Sequence, residues 1–148
     1  NAFNTGIAKG VDLDKDGLPE IVYLFNSTAV GIFKNLSSPT SLNFDNPFFI
    51  ASGKDVNNIK VADVNSDANP DLVFSNGNFN VAGQTNLQDY GISVVLNNHR
   101  TGDITPASFS NFYFTPTDEV PYLMDFGDLD GDNKVDLAYL TYNNQTSN

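Results

Sequence analysis

Three nine-residue stretches of this chain, DLDKDGLPE (12–20), DVNSDANPD (63–71) and DLDGDNKVD (128–136), carry an oxygen-bearing side chain at positions 1, 3, 5 and 9. Position 1 is Asp12, Asp63 or Asp128, and position 3 is Asp14, Asn65 or Asp130. Position 5 is Asp16, Asp67 or Asp132, and position 9 is Glu20, Asp71 or Asp136. The starts fall 51 and then 65 residues apart, which makes this an internal repeat. Three or four carboxylates within nine residues repel one another unless a cation sits among them. A tight loop that turns alternate side chains inward builds an oxygen cage of the kind calcium takes, with backbone carbonyls filling gaps. The backbone donor expected at position 7 is Leu18, Asn69 or Lys134. Magnesium suits such a loop less, because it demands a strict octahedron and keeps its waters. Up to three calcium ions are therefore expected; filling all three moves the formal charge from −11 to −5.

A single Asp-rich turn can be merely solvated, since Asp and Asn favour Asx-turns. The same pattern in triplicate argues against that. An EF-hand is excluded as well: it needs a bidentate Glu at position 12 and flanking helices. Position 12 here is Tyr23, Phe74 or Tyr139.

The flanks give the fold class. Short apolar runs follow each loop (Ile21–Phe25, Leu72–Phe74, Leu137–Leu140) and precede it (Ile7–Val11, Ile59–Ala62, Tyr122–Phe126). They are too short for helices and rich in β-branched and aromatic residues, so each unit reads as strand, loop, strand. Two further strands are expected in each of the first two units: Val30–Lys34 and Phe44–Ile50, then Ile92–Leu96 and Phe109–Phe114. Four short strands per repeat and no long helical periodicity predict an all-β chain of propeller blades, each a four-stranded antiparallel sheet. The loops would join first and second strands, and the aromatics would fill the layers between blades.

This pattern resembles the calcium loop of FG-GAP and VCBS repeats, in which D-x-D-x-D-G-x-x-[DE] lies between two β-strands. Phe126-Gly127 before the third loop and Gly91–Asn98 (GISVVLNN) are similar to further phrases of the VCBS type. The first unit repeats the second phrase loosely as Val30–Asn35. The resemblance implies calcium loops that rigidify one rim of a propeller. At position 6, which favours a left-handed residue, Gly17 keeps the pattern while Ala68 and Asn133 depart from it. With Ala68 and Asn65, the middle loop is expected to bind more weakly than the others or not at all. The units expected are 4–52, 56–116 and an incomplete 119–148, hence a partial propeller and a fragment of a larger polypeptide.

Charge and composition narrow the function classes. Asp and Glu outnumber Lys and Arg 18 to 7, which argues against nucleic acid and anionic membranes as partners. No cysteine means no disulfide scaffold and no thiol nucleophile. No run of apolar residues is long enough to span a membrane. Asp89, Asp103, Asp118 and Glu119 are read as isolated loop acids, and His99-Arg100 as a polar surface turn. The segment Asn76–Tyr90 is longer than its counterpart in the first unit, with Phe79, Gln84 and Tyr90 as candidate ligand contacts.

The function expected is an extracellular or cell-surface, calcium-stabilised, non-catalytic module for adhesion or for recognising a protein or glycan. Its other partners would be further parts of the same chain. Two alternatives stay open: the propeller part of a secreted enzyme such as a polysaccharide lyase or phospholipase, and a structural repeat of a surface assembly.

Overall fold

A computed structural model describes residues 7–53, 55–77 and 90–142. Every regular element among them is a β-strand, apart from one 3-10 turn at Pro106–Ser108. Strands β1 (Ala8–Val11), β2 (Glu20–Asn26), β3 (Ala29–Phe33) and β4 (Phe48–Ala51) form one antiparallel sheet in that order. Strands β5 (Val56–Ala62), β6 (Asp71–Asn76), β7 (Gly91–Val95) and β8 (Tyr113–Pro116) form a second, and β9 (Val120–Gly127) pairs with β10 (Asp136–Tyr142) in a third. The chain is all-β and consists of propeller-like blades. Each acidic stretch joins the first and second strands of a sheet, and the first strands adjoin one another, β1 against β5 and β5 against β9.

Packing follows from the period-2 alternation of strand side chains. In β6, Leu72 and Phe74 point into a core shared with Val22, Val30 and Ile32 of the first sheet. The intervening Val73 points the other way, into a second core with Ile92 and Met124. The middle sheet is therefore covered on both faces, which explains why all of β6 is buried. Position 2 of each loop takes part in the same layering. Leu13 is fully buried in the first core and Val64 packs on the second, whereas Leu129 is 69% exposed.

Three expectations need correction. Both fourth strands begin later than the sequence implies, because the register slips by one residue. Asn35 faces Phe44 while Ile32 faces Phe48, and Asn97 faces Phe109 while Val94 faces Tyr113. A β-bulge thus interrupts the same place in both sheets, between the initial bridge and the strand proper. In the first sheet it coincides with Pro47, which has no N–H to give a ladder. The aromatic residues also do not all fill the layers: Phe25, Phe49, Phe112, Tyr113 and Phe114 are exposed. His99, finally, is buried rather than part of a surface turn, while Arg100 beside it is exposed.

Candidate cation loops

The three loops share one backbone path. Positions 4 and 6 are both left-handed: Lys15 and Gly17, Ser66 and Ala68, Gly131 and Asn133. Two such residues curl the chain so that its N–H groups point inward at the carboxylate of position 1. Gly17 N–H donates to Asp12 Oδ2 at 3.0 Å, Ala68 N–H to Asp63 Oδ2 at 2.7 Å, and Asn133 N–H to Asp128 Oδ2 at 3.0 Å. The middle loop has neither Gly nor Asn at these two places, so Ser66 and Ala68 both hold a conformation that costs an L-residue about 1–2 kcal/mol.

Position 5 closes an Asx-turn in each copy. The N–H of position 7 donates to it at 2.8 Å every time: Leu18 to Asp16, Asn69 to Asp67, Lys134 to Asp132. In the middle loop Asn65 Nδ2 also donates to Asp67 Oδ2 at 3.1 Å. These bonds hold the Asp67 carboxyl below its usual range, the Asn69 N–H contributing most. In the third loop Lys134 Nζ reaches Asp132 Oδ2 at 2.8 Å and does the same to Asp132.

Position 9 has a different role. Glu20 and Asp71 are fully buried. Each carboxylate accepts the N–H of position 2 of its own loop, Leu13 at 2.8 Å and Val64 at 3.0 Å. Each also accepts an N–H from beyond the third strand of its sheet: Asn35 onto Glu20 at 3.3 Å, Asn97 onto Asp71 at 2.8 Å. Burial pushes both carboxyls above their ordinary values; the backbone N–H groups oppose this, and the neighbouring loop aspartates add to it. The two asparagines then use their side chains as braces. Asn35 Nδ2 donates to Pro19 O at 2.9 Å, and Asn97 Nδ2 reaches across to Leu13 O, in the first loop, at 2.8 Å. In the third loop Asp136 accepts the Leu129 N–H at 2.9 Å.

Oxygen atoms of Asp12, Asp14 and Glu20 come within 4.8 Å of one another, as do those of Asp128, Asp130 and Asp136. Positions 1, 3 and 9 are thus gathered in the first and third loops, and the carboxylates of Asp16 and Asp132 lie outside these trios. Asp63, Asp67 and Asp71 form no such trio among the described residues. The first loop has one more telling atom. Asp12 Oδ1 is buried and has no hydrogen-bond partner. A buried carboxylate oxygen without a donor carries a desolvation penalty that a cation would remove. The donor set, all hard oxygen, fits a hard divalent ion.

Residues 12–74 match the family model described as FG-GAP-like repeat. Over that stretch the chain is similar to an FG-GAP-type repeat. The match runs from the start of the first loop into β6, so it takes in the first two loops and strands β2 to β5 between them. Comparisons with curated proteins and with solved structures found no match.

Of the remaining candidates, Phe79, Gln84 and Asp89 lie outside the described residues. Tyr90 is half-buried ahead of β7, and its carbonyl accepts the Thr117 N–H at 3.0 Å. Asp103 is not isolated: it pairs with Lys34 at 2.8 Å, a contact between residues 69 apart that no local pattern signals. The bracing asparagines were also missed as site residues. The recurrence of Asn after the third strand was their one signal. Among the described residues, no helix is long and apolar enough to cross a membrane.

Proposed function

We propose that this chain is part of an extracellular or cell-surface β-propeller-like module, braced by calcium and without chemistry of its own, that presents a rigid surface for adhesion or for recognising a protein or glycan. The observation that carries the reading is the orphaned Asp12 Oδ1, buried beside Asp14 and Glu20. Asp12, Asp14 and Glu20 would hold the ion in the first loop, and Asp128, Asp130 and Asp136 in the third. Asp16 and Asp132, with the carbonyls of Leu18 and Lys134, would complete the shells. An ion there supplies charge neutralisation and a cross-link that fixes the loop between two strands. The middle loop, with Asp63, Asn65, Asp67, Asn69 and Asp71, ranks last, because Asn65 stands where the other two have a carboxylate and both Ser66 and Ala68 hold a costly left-handed backbone. Weak calcium sites of this kind stay filled at the millimolar calcium found outside cells, which favours that location.

The proposed units are 4–52, 56–116 and 119–148, with further sheets of the same polypeptide against the open faces. Leu129 and Leu140, 69% and 65% exposed, lie on the face of the third sheet turned away from the second. The corresponding Leu13 of the first loop is covered completely by the sheet that follows it.

Thermal unfolding in millimolar calcium and in chelator tests this reading. Calcium at a hundredfold excess over Kd adds about 2.7 kcal/mol, which for a chain of this size raises Tm by roughly 5–10 °C. The double substitution Asp128→Ala/Asp130→Ala is expected to remove part of that gain and to leave the melt in chelator unchanged. Equal loss in both buffers would overturn the metal assignment.

A further inference from the structure

We infer that Lys34 is a built-in competitor of the cation in the first loop, and that it couples the filling of that loop to the Asp103 turn of the second sheet. The inference rests on the calcium reading above. Lys34 directly follows β3, and its ammonium lies 2.8 Å from Asp103 Oδ1 and 3.5 Å from Asp14 Oδ2. The side chains of Lys34 and Asp14 are only 16% and 4% exposed, so water and salt screen their interaction poorly. The scaffold does not require a lysine here. Lys34 precedes the bracing Asn35, and at the matching place before Asn97 the second sheet has Leu96. The third loop has a lysine too, but Lys134 is 74% exposed and touches Asp132, outside the gathered trio. A solvated pair of that kind has little influence. The two gathered sites therefore differ by one fixed, sheltered positive charge placed against a position-3 ligand.

A divalent ion among Asp12, Asp14 and Glu20 meets that charge directly, which lowers the loop's affinity. Asp103 gives the ammonium a second partner. Filling the loop shifts Lys34 toward Asp103 and fastens the turn that leads to Ile104, which is buried between the first two sheets. Calcium in the first loop thus tightens a contact between two blades.

Backbone amide NMR during a calcium titration of the whole chain reads each loop separately. The Gly17 amide donates to Asp12 and the Gly131 amide to Asp128, so they report the first and third loops. Lys34→Met keeps the apolar stem and removes the charge. It is expected to lower the calcium midpoint at Gly17 about tenfold, with the Gly131 midpoint unchanged. Lys34→Arg, which keeps the charge, should titrate like the native chain. A Gly17 midpoint in Lys34→Met that is unchanged or higher would overturn the inference, as would equal tightening by Arg. If millimolar calcium moves neither amide in the native chain, the calcium reading itself fails and this inference falls with it.

Discussion

Glu20→Ala and Asp71→Ala are each expected to destabilise the fold by about 3 kcal/mol or more in chelator, although neither removes an apolar contact. Each substitution strands two backbone N–H groups, those of Leu13 and Asn35 or of Val64 and Asn97. A buried donor left unsatisfied costs about 1–3 kcal/mol, and the cavity left by the side chain adds to that. Relief from burying a carboxylate offsets part of the loss, as the raised pKa of both groups indicates. The sign of that offset sets a pH window. A carboxyl raised in the folded state favours folding while protonated, and that contribution fades as pH rises through its folded pKa. The deficit of the two alanine variants should therefore be larger near pH 5 than at pH 8 in chelator. Calcium separates the pair: Glu20→Ala should also abolish stabilisation through the first loop, whereas Asp71→Ala should keep the calcium response of the first and third loops. Denaturant unfolding of both variants at two pH values checks this, and a loss below about 1 kcal/mol would mean that these acids do not organise the loops.

Leu13→Ala and Leu129→Ala remove the same side chain from the same position of two copies of one loop, yet their effects should differ by an order of magnitude. Leu13 is fully enclosed by residues of the first two sheets, and truncating such a leucine costs about 2–5 kcal/mol. Leu129 is 69% exposed, and a surface change of that kind stays within about 0.5 kcal/mol. Equal losses would mean that the layering of sheets described here is wrong. The contrast also bears on assembly. If a further sheet covers the third one in a longer polypeptide, Leu129→Ala becomes as costly there as Leu13→Ala is here.

What the sequence made legible was local. The 1-3-5-9 spacing and the apolar flanks placed each loop between the first two strands of its sheet, because a nine-residue motif and a five-residue run are read over short distances. The left-handed residue expected at position 6 is found in all three loops, in Ala68 at a cost. The left-handed residue at position 4 was not foreseen, since Lys15 and Ser66 give no hint of it. The late starts of β4 and β8 escaped for a related reason. Phe109 to Phe114 carries aromatic residues on both sides of the alternation, so the pattern fixes no register. The roles of position 9 depend on Asn35 and Asn97, 15 and 26 residues away, and the tuning charge on Lys34 depends on a turn in another sheet. Such contacts exist only once the sheets have stacked.

A crystal structure of the chain grown in millimolar calcium, with anomalous scattering recorded for the ion, tests the central claim most directly. An ion is expected among Asp12, Asp14 and Glu20 and another among Asp128, Asp130 and Asp136, with oxygen ligands at about 2.3–2.6 Å. Well-ordered first and third loops without an anomalous peak at that calcium concentration would contradict it.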